Sequence, residues 1–208
     1  MARTITYPTA EHRDDAVGLD EVGRGCIAGP VVAAAIIIPK SILKDIAVRD
    51  SKKLSEKARW LLSKELTSQA TAWGIGVASS AEVDHHNILK ATMIAMQRAL
   101  HQCWVQPAFA LVDGRDDPGL KIPTRTVIAG DATVSLIAAA GIIAKVYRDH
   151  LMGVYDKQYP HYHFAQHKGY GTRLHLACLD KQGVSPIHRL SFKPVADIAD
   201  KKVEVDCL

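Results

Sequence analysis

Two apolar runs near the start of the chain, AVGLD and PVVAAAIII, are separated only by the glycine-rich stretch EVGRGCIAG. So short a connection favours an antiparallel hairpin of two buried strands. Beyond the hairpin, helices and strands alternate. SKKLSEKARWLLSKELTSQA reads as a helix, with Ser55 as its N-cap and Ala58, Leu61, Leu62 and Leu66 on an apolar stripe. AWGIGVASS reads as a third strand. DHHNILKATMIAMQRALHQC is an amphipathic helix, because Leu89, Met93, Met96 and Leu100 repeat at helical spacing; its methionines read as core filling. AFALVDG and TRTVIAGD are a fourth and a fifth strand around the loop RDDPGLKIP. SLIAAAGIIAKVYRDHLMGVYDKQ is a long helix whose first half is apolar nearly all round, and so buried. A hairpin succeeded by alternating strands and helices argues for an α/β layer fold. The five-stranded sheet is mixed, antiparallel at its start and parallel at its finish. After about residue 150 the pattern breaks: YPHYHFAQHKGYGTRLHLACLDKQGVSP is rich in Pro, Gly and polar residues, with one helix around Arg173–Gln182. Residues 1–150 thus form the α/β unit, and 151–208 a small helical extension and tail packed on it. The sequence leaves the order of the tail after Pro194 open.

Composition narrows the class. The chain has 208 residues, enough for one substantial core with an appendage. Hydrophobic residues make up 48% and charged residues 23%, which fits a globular protein rather than a disordered one. The longest apolar run is strand-sized, so no membrane span is expected. The N-terminus lacks the apolar core of a signal peptide, and none of the four cysteines forms a C-x-x-C pair. Free thiols in a reducing compartment, the cytoplasm, are the expectation. From Lys145 to Lys193 there are eight Lys/Arg against three Asp, with histidines and tyrosines interleaved. That quarter suits a polyanion such as nucleic acid, and equally a solvated basic surface.

Three strands each deliver an acid at the C-terminal end. Asp20 closes AVGL, Asp113 closes AFALV, and Asp131 comes after TVIAG just before a helix. If these strands are parallel neighbours, their C-terminal ends share the sheet edge where ligands of open α/β sheets gather. Converging carboxylates repel one another unless cations lie between them. Oxygen-only ligands select hard ions, Mg²⁺ or Mn²⁺ rather than zinc, and two such ions about 3.5–4 Å apart clamp an in-line displacement at phosphorus. Taken singly, Asp113 before Gly reads as a turn and Asp131 as a helix cap; three together with Glu21 favour a site. Adjacent strand residues point to opposite faces, so Asp20 and Glu21 share a site only if the backbone bends there, as the nearby glycines would permit.

These residues carry a resemblance. GLDEVGRGCIAGPVVAAAIII, DSKKLS, LVDG, GD with IAAAGIIAKVYRD after it, HKGYGT and SPIHRLSFKPV together closely resemble ribonuclease HII, in the family's order and from about Val17 to Val195. The resemblance implies a ribonuclease H-like fold, with residues 1–150 as its catalytic domain and a C-terminal helical extension. It places four metal-binding catalytic acids on Asp20, Glu21, Asp113 and Asp131. It places a ribonucleotide-sensing Gly-Arg-Gly on Gly23, Arg24 and Gly25, against the ribose 2′-hydroxyl and adjacent phosphate, and a sugar-packing tyrosine on Tyr170. It implies a monomer that cuts the RNA strand of RNA/DNA hybrids, and cuts 5′ to a lone ribonucleotide in duplex DNA, leaving 3′-hydroxyl and 5′-phosphate ends. The physics agrees: the 2′-hydroxyl distinguishes RNA from DNA, and glycine lets backbone approach it closely. Lys52, Lys53 and Lys168 suit phosphate contacts, which position without specifying sequence. On its residues alone, Tyr170 reads as an exposed loop tyrosine. Two positions depart from the family pattern. Val22 stands where alanine is common, and Gly141 where serine is common, which removes a hydroxyl and costs a helix about 1 kcal/mol relative to alanine.

Other signals are weaker. His161, His163 and His167 form either a metal site, a basic surface or ordinary packing. Lys145 and Asp149 read as an ion pair on the long helix, and His85 and His86 as solvent-facing. Two rival functions are a non-catalytic hybrid-binding module and a nuclease of the same fold acting on all-DNA substrate. The acid set speaks against the first, and Gly-Arg-Gly with HKGYGT against the second.

Overall fold

The computed structural model describes residues 14–46, 48 and 54–206, those from 201 on by backbone alone. A five-stranded sheet forms its centre, in the order β3-β2-β1-β4-β5. The strands are β1 (Ala16–Val22), β2 (Val31–Ile37), β3 (Ala72–Ala78), β4 (Phe109–Asp113) and β5 (Thr124–Val127). β2 pairs antiparallel with both β1 and β3, whereas β4 joins β1 and β5 joins β4 in parallel. The mixed sheet expected from the sequence is present, and β1 is the strand at which its direction changes.

Strand pleating sorts the apolar residues into two cores. In β2, Val32, Ala34 and Ile36 face one side, and Val31, Ala33, Ala35 and Ile37 the other. The helices are α1 (Lys40–Leu43), α2 (Glu56–Gln69), α3 (Ser80–His101), α4 (Gly130–Thr133) and α5 (Ser135–Gln158). α5 and α2 cover the first side, and α3 the second. The apolar first half of α5 is buried as expected, from Leu136 to Ala144 with only Gly141 partly open. The same alternation sets the acids: Phe109 and Leu111 of β4 face α5, so Asp113 does too, and so does Asp20 two residues beyond Gly18 on β1.

Helix starts obey capping chemistry. Ser55 caps α2 as expected, its hydroxyl accepting from Ala58 N at 3.2 Å. α3 begins four residues earlier than its apolar periodicity suggests, because Ser79 and Glu82 form a capping box. It also kinks at Asn87 (φ +68°), whose side-chain oxygen accepts from Leu89 N and Lys90 N and so restarts the helix. The kink turns Leu89 outward; the inner face is Ala91, Ala95, Met96 and Ala99.

α5 runs without interruption through residue 150. Beyond it come a 3₁₀ turn (Pro160–Tyr162), α6 (Phe164–His167), α7 (Arg173–Gln182) and α8 (Lys193–Asp206), the last occupying the tail whose order the sequence left open. Two satellite cores dock this segment onto the β1–β2 turn: Ala28 with Met152, Tyr162, Phe164 and Ile187, and Ile27 with Leu179 and Val195.

Leu19 is fully buried next to Asp20. Leu19→Ala is expected to lower the unfolding free energy by about 3 kcal/mol, seen as a lower urea midpoint at unchanged slope.

Candidate metal centre and nucleic-acid interface

One carboxylate oxygen from each of Asp20, Glu21 and Asp113 lies within 4.8 Å of the others. Among the described residues this is the one group of acids, histidines and cysteines with such spacing. Parallel pairing of β1 with β4 brings Asp20 level with Asp113, one step past the last paired residues, Leu19 and Val112. Glu21 arrives differently from expectation. The backbone does not bend: pairing with β2 continues unbroken through Asp20, Glu21 and Val22. β4 stops at Asp113, level with Asp20, while β1 runs on to Val22, and the Glu21 carboxylate lies with those of Asp20 and Asp113. Its backbone N–H also donates to Asp20 Oδ1 at 2.7 Å.

Asp113 ties the cluster to the next element. Its Oδ1 accepts from Gly130 N at 2.7 Å and from Asp131 N at 3.3 Å, at the start of α4. Asp131 itself stands outside the tight group of three. It lines the same cavity, about 340 Å³ in volume, together with Asp20, Glu21, Gly141, Lys145 and Tyr170.

The cluster is under electrostatic tension. Burial, then the charges of Glu21, Asp113 and Asp131, push the Asp20 carboxyl well above its usual range. Burial also raises Glu21, while Arg24 draws it back down. Three hard carboxylate oxygens so close together, two of them on acids with raised proton affinity, match what a divalent oxygen-ligated cation neutralises. The donor set therefore fits Mg²⁺ or Mn²⁺.

Gly141 takes part in this seat. A Cβ there would overlap Asp20 Oδ2, so the carboxylate occupies the space that a side chain on α5 would fill.

The Gly-Arg-Gly turn comes directly after. Arg24 is exposed, and its guanidinium stands 3.4 Å from Glu21 Oε1. Gly23 adopts φ +95° with its Cα against Arg148, where a Cβ would collide with the guanidinium group. Gly25 is exposed and its Cα faces open space. Tyr170 is 40% exposed, bridges Cys26 through the backbone and lines the cavity, with Lys145 Nζ 6.0 Å from its ring centre. Lys168 pairs with Glu56 at 3.3 Å. Lys52 and Lys53 lie outside the described residues.

The groups that hold this turn give no signal in the sequence. Arg148 and Arg189 are fully buried. Arg148 donates to the carbonyls of Ala28, Pro30 and Lys168, and Arg189 to those of Gly23, Arg24 and Gly29, at 2.7–3.1 Å. Backbone bonds complete the weave: Ile27 N to Gly169 O, Gly29 N to Ile187 O, and Arg189 N to Ile27 O. Burial lowers Arg189 to about 10, so it stays charged at neutral pH. Lys145, read from the sequence only as the ion-pair partner of Asp149, makes that pair at 2.7 Å and also lines the acidic cavity.

The histidines of HYHFAQH do not assemble. His161 and His163 are exposed, whereas His167 is buried and stacks on His175 with ring centres 4.0 Å apart. The metal alternative for those three therefore finds no support. His85 is exposed and His86 half-buried.

Known proteins give a consistent picture. A family model described as Ribonuclease HII matches residues 17–195. A ribonuclease HII of Desulfitobacterium hafniense (strain DSM 10664 / DCB-2) is 52% identical over 183 residues, covering 88% of this chain and 70% of that one. That of Thermotoga petrophila is 49% identical over 181 residues, covering 87% and 74%. Among solved structures, ribonuclease H2 from Pyrococcus horikoshii OT3 superposes with a TM-score of 0.79 at 25% identity, over 89% of this chain and 97% of that one. Bst-RNase HIII in complex with Mn²⁺ shares the fold, with a TM-score of 0.74 at 18% identity over 93% and 73%. With the acidic cluster, the Gly-Arg-Gly turn and the matched length together, the chain belongs to the ribonuclease HII family, the type 2 ribonucleases H.

Proposed function

We propose that this chain hydrolyses phosphodiesters at ribonucleotides held in a duplex. It would cut the RNA strand of RNA/DNA hybrids, and cut 5′ to a lone ribonucleotide in DNA, leaving 3′-hydroxyl and 5′-phosphate ends. The observation that carries this reading is the convergence of Asp20, Glu21 and Asp113 within 4.8 Å, immediately beside the Gly23–Gly25 turn.

In this reading Asp20, Glu21, Asp113 and Asp131 hold two Mg²⁺ or Mn²⁺ ions. Such ions, when bound, polarise the phosphoryl group and lower the pKa of an attacking water. The chain's own residues do the rest. Arg24 orients Glu21 through their ion pair and offers its remaining donors to the neighbouring phosphate. The open backbone at Gly25 admits the ribose 2′-hydroxyl, and the Tyr170 ring supports the next sugar. Lys145 faces the cavity as a further phosphate contact, with Lys52, Lys53 and Lys168 along the strand. Residues 1–150 carry the chemistry, and 151–208 hold the duplex against it. We assign the protein to the cytoplasm as a monomer. The free thiols of Cys26, Cys103 and Cys178 suit a reducing compartment, and no helix among the described residues is long and apolar enough to cross a membrane.

Asp113→Asn is expected to keep duplex binding and abolish cleavage of a DNA duplex carrying one ribonucleotide, in a gel assay with and without Mg²⁺. Cleavage at the wild-type rate would overturn the assignment, and cleavage of an all-DNA duplex would favour the rival nuclease.

A stability measurement tests the tension in the cluster. A carboxyl whose folded pKa is raised is held ionised at a cost above that pKa, and the cost shrinks as pH falls below it and is gone below the unfolded-chain pKa. In EDTA at neutral pH, Asp20→Asn is therefore expected to raise Tm above wild type. Adding Mn²⁺ should raise the Tm of wild type and not of Asp20→Asn.

Arg24→Ala and Tyr170→Ala are each expected to lower cleavage at a single ribonucleotide by about tenfold or more, the equivalent of one lost charge-assisted or packing contact, with Tm nearly unchanged. Unaltered single-ribonucleotide cleavage in both would remove their sensing role.

A further inference from the structure

Behind Tyr170 lies a group of three buried histidines that the proposed chemistry does not use. His175 is 0% exposed, His188 2% and His167 7%. Their hydrogen bonds form a chain with one consistent proton arrangement. The backbone N–H of Ser185 can only donate, so His188 Nδ1, 2.9 Å away, accepts. The Ser185 hydroxyl, 2.8 Å from the same nitrogen, also donates to it. The single proton of His188 is therefore on Nε2, which donates to His175 Nε2 at 3.0 Å. That leaves the His175 proton on Nδ1, which donates to the carbonyl of Tyr170 at 2.9 Å.

His167 is fixed in the same way. Gly169 N donates to its Nδ1 at 3.2 Å, so its Nε2–H donates to Tyr162 O at 2.7 Å. Each ring is thus neutral, in one tautomer, with both nitrogens occupied. A second proton on either ring of the pair would set two N–H groups against each other, or against the Ser185 donors. Burial works in the same direction, holding His175 and His188 at about 4. Phe164, packed edge-on to His175 with ring centres 5.5 Å apart, and Tyr162, tilted against His188 at 5.1 Å, close the cluster.

The anchored segment is not inherently rigid. Lys168 has φ +51° and Gly169 φ +84°, two successive left-handed residues immediately before Tyr170. Glycine adopts that conformation freely, whereas Lys168 holds it at a cost that the surrounding bonds offset. Arg148 donates to the Lys168 carbonyl, Ile27 N and Ala28 N donate to that of Gly169, and the imidazole chain shares the Tyr170 carbonyl with Thr172 N.

We propose that His175 and His188 are positioning residues: as a neutral, single-tautomer imidazole pair they hold the Tyr170 carbonyl, and through it the Tyr170 ring, at the wall of the acidic cavity. The role of that ring rests on the function proposed above, whereas the anchoring does not.

Two readouts separate the two. Amide exchange of residues 168–172, measured by mass spectrometry on the full chain without substrate, reports anchoring alone. His175→Phe keeps the ring shape and removes both bonds; exchange in this segment is expected to rise about tenfold, the scale of one lost buried hydrogen bond. His175→Asn places an amide N–H₂ where Nδ1–H stands, and is expected to restore most of the protection. The second readout is the ratio of cleavage at a single ribonucleotide to cleavage of a long hybrid. It should fall in His175→Phe, recover in His175→Asn, and fall no further when His175→Phe is added to Tyr170→Ala. Should His175→Phe not fold, His188→Asn keeps the Ser185 bond and removes only the Nε2–H donor; a smaller rise in exchange at 168–172 is then expected. Unchanged exchange in these variants, or equal loosening in His175→Phe and His175→Asn, overturns the anchoring. Raised exchange with an unchanged ratio in both His175→Phe and Tyr170→Ala upholds the anchoring and overturns the sensing role of Tyr170.

Discussion

Two buried guanidinium groups hold together what the rest of the site relies on. The turn between β1 and β2 has glycines at 23, 25 and 29, and packs side chains only through its middle, at Cys26, Ile27 and Ala28. Arg148 reaches it from α5 and Arg189 from the segment before α8, and between them they collect carbonyls at Gly23, Arg24, Ala28, Gly29 and Pro30. Hydrogen bonds to a charged donor are worth about 1.5–3 kcal/mol each. Shared between two arginines, these carbonyl bonds outweigh the freedom that the glycines introduce. The turn presents its backbone outward because its carbonyls are engaged inward. Burying two cations is costly in itself, and the saturation of their donors with fixed carbonyl dipoles is what makes it tolerable.

Polarity across the site is divided by element. The ends of β1 and β4 and the start of α4 bring negative charge, and α5 with its extension brings positive charge at the cavity in Lys145 and, farther out, in Lys168. A duplex approaching this surface meets an acidic floor with a basic wall. The floor alone would repel it. On the proposed function, divalent ions would invert the sign of the floor where the phosphodiester comes closest, and metal and substrate would each improve the other's site.

The order of strands and helices was legible because apolar runs and their terminators are local properties. So was the convergence of Asp20 and Asp113, since parallel strands bring their C-terminal ends together. That Glu21 joins them with β1 still paired to β2 was not, because strand pairing is a relation between distant segments. The start of α3 was hidden for a different reason: Ser79 closes a strand-like run, and only the Glu82 side chain folding back reveals the cap. The basic C-terminal quarter misled in part. Arg148 and Arg189 count toward its charge, yet neither reaches solvent, and Lys168 is engaged with Glu56. Composition reports charge, and burial decides whether that charge faces a ligand or a carbonyl. The histidines show the same limit: their number is plain in the sequence, whereas their tautomers depend on partners from other segments.

Gly141 and Arg148 stand seven residues apart on α5, two turns of one helix and so on the same face. The first gives Asp20 its seat, and the second grips the turn that begins at Gly23. A helix rises about 1.5 Å per residue, which fixes their separation along the axis at about 10 Å. α5 therefore acts as a ruler whose two marks are the acidic cluster and the Gly-Arg-Gly turn. On the proposed function these would be the cutting point and the testing point, and a duplex has its own fixed spacing between a sugar and its neighbouring phosphate. An inserted or deleted residue between those marks would rotate one of them off the shared face by about 100°, leaving both devices intact and out of register.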